Sequence, residues 1–359
     1  MRILWYNWRD IKNPEAGGAE VFCHQIIIRL LQKGHNITLF TSQFPNSPHS
    51  EIIDGLKVIR SGGRYSVYTK ARKYFKRNKQ HYDIFIDSIN TIPFLSPKLV
   101  QEKTLLPIVY QRAAEIWFHE VPFPISHLFY YYLEKKWLSR YKENPTITIS
   151  NSSQDDLKSI GFKRTFIVPI GLGFEPLFEM ALKESNPTVI FLGRLKKYKL
   201  PNHALEAFTI IKEHISGAKL WVIGEGPMLN DLRTMYKSQD ITFYGHTSEE
   251  QKYALLRRAH ILLVPSIREG WGLVVTEANA MGTPAIAYDV HGLKDSVVDG
   301  ETGILIKDRS EESLAHAAIT LLSDKDLLRK YSENALAFSK RFTWDNSAEE
   351  FERIIEGLI

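Results

Sequence analysis

The sequence predicts an α/β protein built from two doubly wound parallel-sheet domains facing a central cleft. Three observations predict it. Short β-branched runs alternate with amphipathic helical stretches along the whole chain. The alternation restarts once, at Thr188, after a Gly/Pro-rich and weakly periodic stretch. At 359 residues the chain exceeds what one core ordinarily serves, so two domains of about 150–180 residues are expected.

Ile3-Leu-Trp-Tyr-Asn reads as the first strand, because it is short, apolar and continuous. The glycine loop Asn13-Pro-Glu-Ala-Gly-Gly-Ala-Glu20 then opens a helix around Ala19–Lys33. Ile37-Thr-Leu-Phe-Thr, Leu56-Lys-Val-Ile, Ile84-Phe-Ile-Asp, Ile108-Val-Tyr and Thr146-Ile-Thr-Ile continue the sheet. The second round runs through Thr188-Val-Ile-Phe-Leu, Lys219-Leu-Trp-Val-Ile and Ile241-Thr-Phe-Tyr. Ile261-Leu-Leu-Val, Pro284-Ala-Ile-Ala-Tyr and Gly303-Ile-Leu-Ile complete it. The boundaries follow: an N-terminal domain over 1–172, a linker over 173–187, and a second domain over 188–342. There are no tandem repeats or low-complexity tracts.

Hydrophobic content of 44% and charged content of 24% describe an ordinary globular protein. The single Cys23 excludes a disulfide framework and a multi-thiolate metal site, and fits a reducing cytosol. The chain opens directly on a strand and holds no run of 18 apolar residues, so a cytoplasmic protein without signal peptide or membrane span is expected. The net charge of +5 is unevenly placed. No acid lies between Lys57 and Lys79, while Arg64, Lys70, Arg72, Lys73, Lys76, Arg77 and Lys79 are interleaved with Tyr65, Tyr68, Tyr74 and Phe75. Two readings are open: a basic helix lying on an anionic membrane surface through Arg64–Lys79, or a solvated helix packing its aromatics on its own sheet. No nucleic-acid recognition motif accompanies the charge.

Four loops at strand carboxyl ends carry the chemistry, where ligands of such sheets bind. The Gly17-Gly18 pair at a helix start lets backbone amides approach a phosphate or a sugar. Gly193-Arg194 through Lys199 offers a planar guanidinium fork and a compact ammonium for phosphate oxygens. Gly224-Glu-Gly226-Pro227 reads equally as a ligand loop or a tight strand–helix turn, with Pro227 suited to the first helical position. The fourth loop is the most informative. Glu269 precedes Gly270 and Gly272 in the loop after a strand, and Glu277 lies a turn into the helix that starts near Leu273. That helix start can hold an anion. Gly245-His246 borders the same face by its backbone.

Other chemistries find little support. No Gly-x-Gly-x-x-Gly fingerprint, Walker loop or Gly-x-Ser-x-Gly elbow is present, and the histidines lack metal-ligand spacing. Asp324-Lys-Asp326 matches an Asp-x-Asp metal motif but reads as a helix cap.

These residues resemble the retaining, metal-independent glycosyltransferases of the GT-B fold, two Rossmann-like domains, and family 4 (glycosyl transferases group 1) in particular. The resemblance rests on Arg194 and Lys199, Gly224-Glu-Gly-Pro227, Glu269-x7-Glu277, Gly282-Thr-Pro-Ala-Ile-Ala and Val298-Asp-Gly-Glu-Thr-Gly303. In the first half it rests on Pro14-Glu-Ala-Gly-Gly-Ala-Glu20, Ile89-Asn-Thr-Ile-Pro-Phe and Arg112-Ala-Ala-Glu-Ile-Trp-Phe, and near the end on Phe342-Thr-Trp-Asp345.

The resemblance implies a hexosyl or N-acetylhexosaminyl transfer from a UDP- or GDP-sugar to a hydroxyl of a glycan or lipid-linked glycan, in cell-surface polysaccharide synthesis. It implies no metal or other cofactor. Glu269, Arg194 and Lys199 would be the catalytic groups. Glu277 would hold the ribose, and Gly17, Gly18, Gly193, Gly224, Gly226, His246, Gly270, Gly272 and Leu273 would line the donor. The helix 343–359 would return to pack on the first domain. The family's His before the Arg112 run is replaced by Tyr110 or Gln111, which with His119 are the acceptor-side candidates. Tyr is a poor base near pH 7, so no protein base is assigned. The alternatives are a non-catalytic nucleotide-sugar-binding protein and a GT-B sugar-nucleotide epimerase. A nicotinamide dehydrogenase would need the missing glycine fingerprint.

Overall fold

The computed structural model of the chain describes residues 1–100 and 104–358. They fall into two compact units: Met1–Trp117, Phe123–Gly171 and Phe342–Ile359 in the first, Phe118–Pro122 and Leu172–Arg341 in the second.

The first unit is built on eight strands: β1 (Arg2–Tyr6), β2 (Asn36–Thr41), β3 (Ser50–Ile53), β4 (Leu56–Arg60), β5 (Ile84–Ile89), β6 (Thr104–Val109), β7 (Thr146–Thr148) and β8 (Thr165–Ile167). Their order is β3-β4-β2-β1-β5-β6-β7-β8, and only the β3–β4 pair is antiparallel. The sequence reading missed β3 and β8. A signal for β3 was present: Asp54-Gly55 joins the two strands, with φ of 49° and 81° at the two turn positions, as a tight hairpin requires. β8 is a three-residue edge strand with no buried residue, too short and too exposed to show a pattern.

Alternation along β1 sends Leu4 and Tyr6 to one face and Trp5 to the other. On the first face the helix Val67–Asn78 buries Val67, Ala71 and Phe75, and Tyr68 and Tyr74 pack on the same core. Tyr68, Tyr74 and Phe75 of the basic stretch therefore pack on the core, whereas Tyr65 is exposed. Of the two readings of Arg64–Lys79, this packing supports the helix that sets its aromatics on its own sheet, with a charged outer face. On the second face Trp5 stacks on Phe351 at 5.2 Å between centroids. Phe351 belongs to the helix Trp344–Glu356, which lies on the helix Gly18–Gln32 through Trp344 against Phe22 and Asp345 bonded to Arg29.

The second unit has six strands, β9 (Thr188–Leu192), β10 (Lys219–Ile223), β11 (Ile241–Gly245), β12 (Ile261–Val264), β13 (Ala285–Tyr288) and β14 (Gly303–Ile306). Their order, β11-β10-β9-β12-β13-β14, is parallel throughout and reverses direction of winding at β9. Residues 173–187, read as a linker, lie within this unit. Leu177 N donates to Ala280 O at 3.0 Å and Glu184 N to Arg258 O at 2.9 Å. Lys183 Nζ donates to Gly282 O and Thr283 Oγ1, each at 2.8 Å. The stretch forms no helix or strand and is laid down as a strap, held by these bonds and by Phe174 and Leu177 packed on the core.

Candidate functional site

In a doubly wound sheet the loops on either side of the winding reversal diverge and leave room for a ligand. Here those loops follow β9 and β12, and they carry Arg194, Lys199 and Glu269.

The β9 loop is fixed by its neighbour. Gly193 N donates to Ile223 O at 3.0 Å, Leu195 N to Glu225 O at 2.8 Å, and Met228 N to Leu195 O at 3.2 Å. A Cβ on Gly224 would lie 2.0 Å from Gly193 O, and one on Gly226 would lie 2.4 Å from Leu195 O. Loop-on-loop packing thus already demands glycine at both positions. The following helix begins at Leu229, so Pro227 stands ahead of it rather than at its first position.

Lys199 ends a short 3₁₀ turn, Lys197–Lys199. Its ammonium bonds Glu269 Oε1, joining residues 70 positions apart. Both side chains are mostly buried, at 18% and 11% exposure. Glu269 is held from behind: its N donates to His291 O at 3.0 Å, and Gly292 packs so closely that a Cβ would sit 2.4 Å from Glu269 O. Arg194 is exposed, with Nη2 3.4 Å from Tyr198 Oη. Among the described residues no carboxylate pairs with it, so its charge is free to meet a ligand.

Gly270 leads to Gly272, which takes φ of 89° as the N-cap of the helix Leu273–Ala280. A Trp271 Nε1 to Thr276 Oγ1 bond of 2.8 Å pins the turn from inside. The first amides of such a helix have no acceptor within it, and Leu273 carries one of them. Glu277 is one turn further in and 8% exposed. Its Oε1 accepts from Lys252 Nζ at 2.9 Å, and Lys252 also bonds Glu249. Burial pushes the Glu277 carboxyl up and Lys252 pulls it back. Lys252 escaped the sequence reading.

His246 is exposed just after β11, and Gly245 O accepts from Gly224 N at 2.8 Å. Phe118–Pro122 also belongs to this unit: Glu120 bonds Lys196 at 3.0 Å. Beside it, burial and the nearby Lys197 charge lower the His119 pKa. His119 therefore lies with the β9 loop.

In the first unit Gly17 caps the helix Gly18–Gln32, its N donating to Glu20 Oε2 at 2.8 Å. A Cβ on Gly18 would meet nothing within 4 Å. Neither packing nor backbone explains that glycine, unlike Gly224 and Gly226. Tyr110 is 6% exposed, lies edge-on to Phe22 at 5.5 Å and faces Ser88, so its parity at the end of β6 turns its ring toward the core. Gln111 Oε1 is buried and, among the described residues, has no partner. Asp324 accepts from the amides of Asp326 and Leu327 as a helix cap. Among the described residues no three His, Cys, Asp or Glu side chains are grouped to hold a metal ion.

Residues 175–338 match the family described as glycosyl transferases group 1. A D-inositol 3-phosphate glycosyltransferase of Nocardia farcinica is 34% identical over 182 residues, covering 48% of this chain and 40% of that protein. The chain thus spans under half of the length of that relative. The fold is that of solved GT-B structures. Sucrose-phosphate synthase from Thermosynechococcus elongatus superposes with a TM-score of 0.82 at 21% identity, over 99% of this chain and 98% of the other. Anabaena HepE, solved with UDP-glucose, gives 0.76 at 16% identity over 100% of both chains.

Proposed function

We propose, on the premise that residues 175–338 belong to the glycosyl transferases group 1 family, that the protein is a retaining glycosyltransferase. It moves a hexosyl or N-acetylhexosaminyl group from a UDP- or GDP-sugar to a hydroxyl of a glycan or lipid-linked glycan. The observation that carries the reading is the Lys199–Glu269 pair beside the unpaired Arg194, on the two loops at the winding reversal of the second sheet.

The chemistry follows from where charge develops. As the bond between the anomeric carbon and the diphosphate oxygen breaks, negative charge grows on that oxygen. Arg194, Lys199 and the amides opening Leu273–Ala280 stabilise it, with no metal needed. The acceptor oxygen bonds the same carbon from the same face, and its proton passes to the departing phosphate oxygen. Glu269, held rigidly by His291 and Gly292, stands beside the sugar and keeps Lys199 in place until the diphosphate arrives. Glu277 accepts from the ribose hydroxyls with the oxygen that Lys252 leaves available. Support for a uridine donor comes from the UDP-glucose complex of HepE.

Donor turnover is measured with and without acceptor, after a thermal-shift screen of UDP-, GDP- and ADP-sugars has named the donor. Glu269→Gln and Lys199→Ala are each expected to lower transfer by about a hundredfold or more, the scale of losing one preorganised charge stabiliser. Intact transfer in both variants overturns the assignment. Donor binding without any turnover would mean a binding protein instead.

A further inference from the structure

The segment Phe123–Leu138 of the first unit packs one side inward and leaves the other side apolar. Inward, Phe129 lies 4.5 Å from Trp117 and 5.5 Å from Trp137 between ring centroids. Glu134, almost wholly buried, accepts from Ala113 N at 2.6 Å and Ala114 N at 3.1 Å. Outward, a surface helix ordinarily shows charged residues. Here Phe123, Ile125, Leu128, Tyr131 and Tyr132 are 77%, 47%, 51%, 62% and 54% exposed. Phe123, His127 and Tyr131 form a ladder of rings at helical spacing, with centroids 5.2 and 6.1 Å apart. An apolar patch of this kind on a protein surface marks an interaction site.

The charge beside the patch identifies the occupant. From Val121 to Leu133 there is no acid, and the only one before Glu143, Glu134, is buried against backbone amides. Lys135 and Lys136 are exposed directly beyond the tyrosines, and Arg140 follows. Lys136 Nζ lies 3.1 Å from Tyr132 Oη and 4.9 Å over its ring. The face thus grades from aliphatic and phenyl groups, through phenol hydroxyls, to ammonium groups. A bilayer edge grades in the same order, from acyl chains through the polar boundary to anionic headgroups. A second copy of this chain would bring to the face the same lysines and no exposed acid from this segment.

We propose that the outer face of residues 123–136 docks on an anionic lipid surface, with Phe123, Ile125 and Leu128 entering the acyl boundary and Lys135 and Lys136 meeting the headgroups. The docking face is distinct from the basic helix Val67–Asn78, whose aromatics are committed to the core. It is also independent of the transfer chemistry assigned to the second unit.

Flotation of the full chain with vesicles of phosphatidylcholine, with and without phosphatidylglycerol, tests it. The protein is expected to float with the anionic vesicles at low salt and to be released at high salt. Phe123→Ser with Leu128→Ser should weaken binding by about tenfold or more. Lys135→Glu with Lys136→Glu should abolish the preference for anionic vesicles. Lys73→Glu with Lys76→Glu, on the other helix, should change binding less than twofold. All six side chains are exposed, so unchanged thermal unfolding is expected and is checked. No flotation, or flotation that the 123–136 variants leave intact, overturns the proposal. So does lipid-free self-association that the same substitutions abolish, because the face then belongs to a second copy.

Discussion

Lys252 decides how Glu277 behaves. A carboxylate this buried resists ionisation, and Lys252 is the group that opposes the effect. Lys252→Met is therefore expected to raise the Glu277 pKa further and to weaken nucleotide binding by about tenfold. The loss should be larger at a lower pH than at a higher one, because a protonated Glu277 is a poorer acceptor for ribose hydroxyls. Calorimetric titration with UDP at both pH values checks this, and a pH-independent loss would place Glu277 outside the nucleotide site. Arg194, Lys199, Glu269 and Glu277 could be named as candidates from the sequence because they lie in or just after the glycine-bearing loops that follow apolar strands. Lys252 was not, since its partner lies 25 positions on and only the fold joins them. The burial of Tyr110 was not legible for a related reason: one step of strand parity separates a core phenol from a surface group. Glycines were visible but their reasons were not, as the contrast between Gly224 and Gly18 shows.

Two elements hold the β9 loop and the strap in place, and each has a test. Gly224→Ala drives a methyl into Gly193 O. We expect it to cost about 1–3 kcal/mol in unfolding and to weaken donor binding as the Arg194 loop shifts. Chemical denaturation and donor titration measure the two effects. In the strap, burial lowers the Lys183 amine from 10.5 to about 7, and Lys183 lies beside Gly282 and Thr283 with no carboxylate bonded to it among the described residues. Between these two values the unfolded chain binds a proton that the folded chain lacks, so stability rises with pH; it is lost as pH falls through 7. The neighbouring His260, lowered to about 4 by burial and by Lys183, is already neutral in that window. Lys183→Met should remove the rise in Tm between about pH 7 and 9 that the unsubstituted protein shows. Strands were the best-read elements because buried parallel strands are short unbroken apolar runs. The strap was read as a linker because its apolar anchors, Phe174 and Leu177, follow no helix or strand period, and β8 was missed because nothing in it is buried.

On the scale of the whole molecule, the double winding and the restart at Thr188 were legible, since both follow from the order of apolar runs. Which unit owns Phe118–Pro122 was not, because that ownership rests on contacts such as Lys196 with Glu120. The last helix has the widest consequence for stability. Phe351 and Ile355 are fully buried, and Trp344 nearly so. A chain ending at Arg341 would uncover the Trp5 ring and the Phe22 edge, so it is expected to aggregate or to melt first in its N-terminal unit. Limited proteolysis of the truncated chain, followed by identification of the cut sites, checks which unit gives way. The same helix also bears on biosynthesis. Residues 1–171 leave the ribosome early, yet the helix that covers their Trp5 face is made after all of 172–341. The second unit can therefore complete its fold on the nascent chain while the first waits with an aromatic surface uncovered, the kind of surface that chaperones hold.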